Sequence, residues 1–60
     1  MAESIVKSIL RTAHGHLMAG VMTFNAYTVN FTIEKIQRSP NAYAVMAETQ
    51  NPFCVGYVTL

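Results

Sequence analysis

Charge is what this chain has least of. Only 12% of its 60 residues are charged, about half of the roughly 25% usual for soluble domains. Aspartate is absent, and cysteine occurs once, at Cys54. No disulfide within the chain can therefore reinforce a small core. Long apolar runs are missing too. The most apolar stretch of the first half, residues 17–22, falls far short of the roughly 20 residues that span a bilayer. Residues 1–16 lack the basic start and unbroken apolar block of a signal peptide, because Lys7 and Arg11 interrupt them. These absences predict no membrane partner and a reducing, cytoplasmic setting.

What is present is apolar. Hydrophobic residues make up 52% of the chain. A chain of this length forms one domain over 1–60 and hides only about 60% of the surface its unfolded form exposes. A monomer with so few charges has little with which to cover the rest, so self-association is the expected remedy. The formal net charge is +1, from Lys7, Arg11, Lys35 and Arg38 against Glu3, Glu34 and Glu48. That balance marks neither a nucleic-acid binder nor a partner for an acidic surface.

The apolar pattern divides the chain into elements. In ESIVKSILRTAHG, Ile5, Val6, Ile9, Leu10 and Ala13 fall on one face of a helix. Ser4 suits the N-cap, and Gly15 suits the left-handed position past the last turn, so the helix is expected to end near His14. In AYTVNFTIEKI, Tyr27, Val29, Phe31 and Ile33 alternate with Thr28, Asn30, Thr32 and Glu34, the period of a half-buried strand. QRSPN reads as a turn. AYAVMAE and FCVGYVTL read as two more strands, separated by TQNP, each apolar on both faces. Phe53, Val55 and Tyr57 are expected to oppose Cys54, Val58 and Leu60. HLMAGVMTF admits two readings over residues 16–24, an extension of the helix or a further strand hairpinned through residues 25–26. Its two glycines and the run of residues 21–24 favour the strand. The expected architecture is α+β: one N-terminal helix on a three- or four-stranded antiparallel meander. Ile5, Ile9, Leu10 and Ala13 are expected to pack on Val29, Phe31, Ile33, Val45 and Val55.

Reactive chemistry is poorly provided for. His14 and His16 would share a face only on a strand. Zinc normally takes three or four protein ligands, and beyond these two the chain offers only Cys54 and three glutamates. No metal site and no cofactor are expected. Cys54 within an apolar strand reads as a small hydrophobe rather than a nucleophile. Glu3, Glu34 and Glu48 lie on three separate segments, which speaks against paired carboxylates. Gly15, Gly20 and Gly56 are isolated, so no phosphate loop is present. The chain is not expected to be an enzyme.

The expected function is a homo-oligomeric binding module, most simply a dimer. It would be a small regulator or inhibitor, of the kind phages and mobile elements encode, that occludes or sequesters a protein or small ligand. One helix covers one face of a sheet, so the apolar residues on the other face should form the subunit interface: Ala44, Met46, Cys54, Val58 and Leu60. A ligand pocket is expected at the rim, near Tyr43, Asn51 and Tyr57. The alternative is a regulator that binds nucleic acid through Lys7, Arg11, Lys35 and Arg38, doubled by a two-fold axis.

Overall fold

The computed structural model describes residues 4–60. One helix, α1 (Ile5–Met18), precedes four strands, β1 (Thr23–Ala26), β2 (Val29–Lys35), β3 (Ala42–Ala47) and β4 (Phe53–Thr59). The strands form a single antiparallel meander in the order β1-β2-β3-β4. The fold is α+β, with the helix on one face of the sheet.

The start of α1 is as its sequence suggests. Ser4 is extended, with φ −65° and ψ 151°, and its Oγ accepts from the Lys7 N–H at 3.1 Å, which satisfies one of the free donors of the first turn. The end is not. Gly15 lies inside the helix, which continues one turn further to Met18. Gly20 supplies the left-handed residue, at φ +77°. Val21 N–H donates to the His16 carbonyl at 2.8 Å, and Gly20 N–H to the Leu17 carbonyl at 3.0 Å. These are the paired bonds of a Schellman stop. HLMAGVMTF is therefore split, half helix and half turn and strand, because Leu17 continues the buried stripe of Ile9 and Ala13.

Two substitutions separate these termini. A Cβ at Gly15 meets nothing within 4 Å, so Gly15→Ala should raise stability by about 0.5–1 kcal/mol. Gly20→Ala should lower it by about 1–2 kcal/mol, the cost of a side chain in the left-handed region. Denaturant midpoints read both signs; the opposite pair of signs would place the helix end at Gly15.

β1 and β2 join through Tyr27 and Thr28, not through residues 25–26, since Ala26 pairs with Val29. Both turn residues have positive φ, 54° and 60°, as the two-residue turn that matches strand twist requires. Neither is a glycine, and Thr28 is β-branched, so the turn is strained. The Thr28 hydroxyl donates to the Tyr27 carbonyl at 2.6 Å, and the Tyr27 hydroxyl donates to Ser8 Oγ at 3.1 Å, tying the turn to α1. Thr28→Gly should therefore raise the melting temperature, by about 1–2 kcal/mol of stability; no change would mean the turn relaxes in solution.

The core lies between α1 and the sheet. Ile9, Ala13 and Leu17 pack on Phe24, Phe31, Ile33, Val45, Ala47 and Val58, with Leu10, Val29 and Val55 half-buried at its edge. Ile5, expected in this set, is 61% exposed. Phe24 and Phe31 stack at 5.1 Å between ring centroids.

β4 departs from simple alternation. The pairing Val45↔Gly56 is followed by Met46↔Cys54, so Val55 is an extra residue in a β-bulge. Beyond the bulge the alternation is inverted. Val58 pairs with Tyr43 and is buried beneath the helix, while Tyr57 pairs with Ala44 on the far face. Gly56 lets the helix sit close: a Cβ there would stand 2.9 Å from Leu10 Cδ1.

Candidate functional site

His14 and His16 lie on a helix, not on a strand. Two residues apart, at about 3.6 residues per turn, they leave it in directions about 200° apart. His14 is exposed. His16 is half-buried, with Nδ1 donating to the Thr12 carbonyl at 2.9 Å. Its ring stacks on Phe24 at 5.0 Å. The sequence H-x-H is thus no metal pair, and His16 serves as the outer ring of a stack that continues through Phe24 to Phe31. Among the described residues no three His, Cys, Asp or Glu side chains converge.

The expectation about carboxylates needs correcting. Glu34 on β2 and Glu48 just past β3 both reach Thr32: its hydroxyl lies 2.8 Å from Glu48 Oε1 and 3.4 Å from Glu34 Oε2. Strand pairing produces this, because Asn30 faces Glu48 through the Glu48 N–H bond to the Asn30 carbonyl. Segment order along the chain could not show it. One hydroxyl has one proton, so it donates to one carboxylate at a time. Glu34 and Glu48 are exposed and Thr32 is half-buried, and among the described residues no third His, Cys, Asp or Glu joins the two carboxylates.

The four basic residues do not form one patch. Lys7 follows the helix start, at the end of the sheet where Tyr27 meets Ser8. Lys35 and Arg38 lie at the opposite end, around the β2–β3 turn. The Lys35 ammonium donates to the Pro40 carbonyl at 3.0 Å and sits 5.9 Å above the Tyr43 ring. Arg11, with Thr12, Gly15, His16, Ala19 and Val21, lines a shallow open hollow beside the end of α1.

The rim residues are also dispersed. Tyr43 is half-buried on the helix side, packed against the core. Tyr57 stands on the far face, 62% exposed. Asn51 is in the β3–β4 loop, at the opposite end of β3 from Tyr43. Of the five residues assigned to a subunit interface, Ala44, Met46 and Cys54 share the far face. Val58 does not, because the bulge turns it into the core. Leu60 follows β4 and is 57% exposed.

The far face itself is the most distinctive surface. Strand register places its side chains in rows: Thr23, Thr32, Met46 and Cys54 in one, Glu34, Ala44 and Tyr57 in the next. Asn25 and Asn30 form a third, where the Asn25 amide donates to Asn30 Oδ1 at 2.9 Å. The β1–β2 half is polar and internally hydrogen-bonded, and the β3–β4 half is apolar. No element among the described residues lies over it. Sequence reasoning missed Tyr57 as a member of this face, and only the bulge at Val55 accounts for it.

No helix among the described residues is long and apolar enough to cross a membrane. The chain matches no family model, no curated protein and no solved structure.

Proposed function

We propose that this protein is a non-enzymatic, homo-oligomeric binding module that sequesters a partner protein on the open face of its sheet. The observation that carries this reading is the apolar patch of Ala44, Met46, Cys54 and Tyr57 on that face. Its polar margin, from Thr32 to Asn25, is already hydrogen-bonded within the chain. A margin of this kind loses little on contact, while the apolar centre gains from leaving water, the usual layout of a protein-binding surface. The accessible surface is 4306 Å². A folded monomer of 6.6 kDa is expected to expose about 3,900 Å², a comparable area. Groups that catalysis needs lie apart: His16 is engaged with Thr12 and Phe24, and Cys54 donates to the Gly56 carbonyl at 3.4 Å. Nothing favours a nucleic-acid reading over this one, since the basic residues point to both ends of the molecule.

Parallel purification of tagged wild type and Met46→Glu, each analysed by native mass spectrometry, tests the reading. A protein held by the wild type and lost from Met46→Glu, with an unchanged circular dichroism spectrum, supports it. Retention of the same partner by both places binding elsewhere. Binding of DNA or RNA that weakens steeply with salt would instead mark phosphate contacts.

A further inference from the structure

We infer that β4 is a pairing edge, and that its occupant is β4 of a second copy, joined antiparallel about a two-fold axis at Val58. The inference deepens the oligomeric part of the reading above. It assigns self-association to the edge and leaves the open face free for the partner.

Hydrogen-bond parity along β4 is the starting point. Leu60 N–H donates to the Asn41 carbonyl at 2.9 Å, and Thr59 faces Ala42. Residue pairs in an antiparallel ladder alternate between bonded and non-bonded. Leu60 and Val58 therefore bond inward to β3, while Thr59 and Tyr57 turn their N–H and C=O groups outward. The Ile36 N–H bond to the Ala42 carbonyl agrees, since it commits the Ala42 backbone to β2 and not to β4.

An edge with free donors and acceptors invites another strand, and proteins ordinarily guard it with charge, proline or a bulge. Here residues 49–60 contain no charged side chain, and the only proline among them, Pro52, precedes the strand. The bulge at Val55 disrupts the first part of β4 only. Past the bulge the strand is regular and unguarded, and its two outward-facing residues, Tyr57 and Thr59, lie on either side of Val58.

That symmetry selects the occupant. With the axis at Val58, Tyr57 of each copy faces Thr59 of the other, and all four outward N–H groups meet outward C=O groups. An axis at Tyr57 would instead set Thr59 against the bulged Val55. In the Val58 register, side chains that oppose each other share a face. Tyr57 lies beside the second copy's Thr59 on the open face. The second copy's Leu60 lies beside Gly56 on the helix face, where the missing side chain leaves room next to Leu10. Leu60 is 57% exposed and Tyr57 62% exposed in the single chain.

The helix gives an independent sign. Val6 is one turn before Leu10 on the same side of α1, the side lying over Gly56 in β4. It belongs to the apolar stripe yet is 49% exposed. The start of the stripe is therefore left uncovered within the single chain. A two-fold axis perpendicular to the sheet sets both helices on one face, flanking the joined β4 strands, and gives Val6 a neighbour. The product is an eight-stranded sheet whose open face carries both Tyr57 side chains at its centre.

The test combines sedimentation velocity with amide hydrogen exchange on the wild type and on Thr59→Pro, which removes one outward donor and no bond to β3. The wild type should sediment as two chains, with the Tyr57 and Thr59 amides protected and losing protection on dilution. Thr59→Pro should sediment as one chain with an unchanged circular dichroism spectrum. Monomeric wild type overturns the inference. So does a dimer whose Tyr57 and Thr59 amides exchange freely, or one that survives Thr59→Pro but dissociates in Met46→Glu. If Thr59→Pro fails to fold, the exchange data on the wild type decide alone. Loss of the partner in Met46→Glu with the dimer intact would leave this inference standing whatever becomes of the partner-binding reading.

Discussion

Phe31→Ala should destabilise the domain by about 3–5 kcal/mol, the usual range for removing a buried phenyl ring. Phe31 is 3% exposed and is clamped between Phe24 on β1 and Ala47 on β3. Its loss leaves Phe24 without a stacking partner, and through it loosens His16 at the end of the helix. A domain of this size has roughly 3–9 kcal/mol of stability to begin with, at about 0.05–0.15 kcal/mol per residue. The variant should therefore be largely unfolded at 37 °C, with a urea midpoint near zero. A melting curve like that of the wild type would mean that the ring faces water and that the β2 register is inverted.

Val58→Asp should be equally severe, with loss of the folded state at room temperature by circular dichroism. Val58 is 8% exposed beneath α1, and among the described residues no polar or charged side chain is buried there to meet a carboxylate. Burying it unpaired costs more than the roughly 2–7 kcal/mol of an unpaired neutral polar group. The comparison that matters is with Met46→Glu, on the opposite face, which should stay folded. Strict alternation through FCVGYVTL puts Val58 and Cys54 on one side, and predicts that a charge at either position affects association alone. A folded Val58→Asp would show that the bulge at Val55 does not form.

Much of this architecture is written in local pattern. The alternation of Val29, Phe31 and Ile33 with Asn30, Thr32 and Glu34 needs no tertiary information, because a strand has period two and one face must be dry. The Ser4 cap is local too, since its hydroxyl reaches only the next turn. The single helix and the three later strands, and their order, follow from such signals, whereas β1 is one of two readings that residues 16–24 admit.

Other features depended on what the chain meets in space. Gly15 and Gly20 are equally suited to end a helix. The choice fell to Gly20 because Leu17 finds a place in the core, and that burial outweighs the cost of a glycine inside α1. Tyr27 and Thr28 are poor turn residues, and no propensity selects them. They occupy left-handed backbone because the pairing of Phe24 with Phe31 fixes where the hairpin must turn. The bulge at Val55 is likewise invisible to a period-two reading. Leu10 lies against Gly56, and the extra residue brings that glycine, not Val55, opposite Val45. One inserted residue inverts every side chain after it. Hence the sequence alone determined that the last two strands carry apolar residues on both faces, more than one helix can cover, whereas only the tertiary structure decided that Tyr57 belongs to the open face and Val58 to the core.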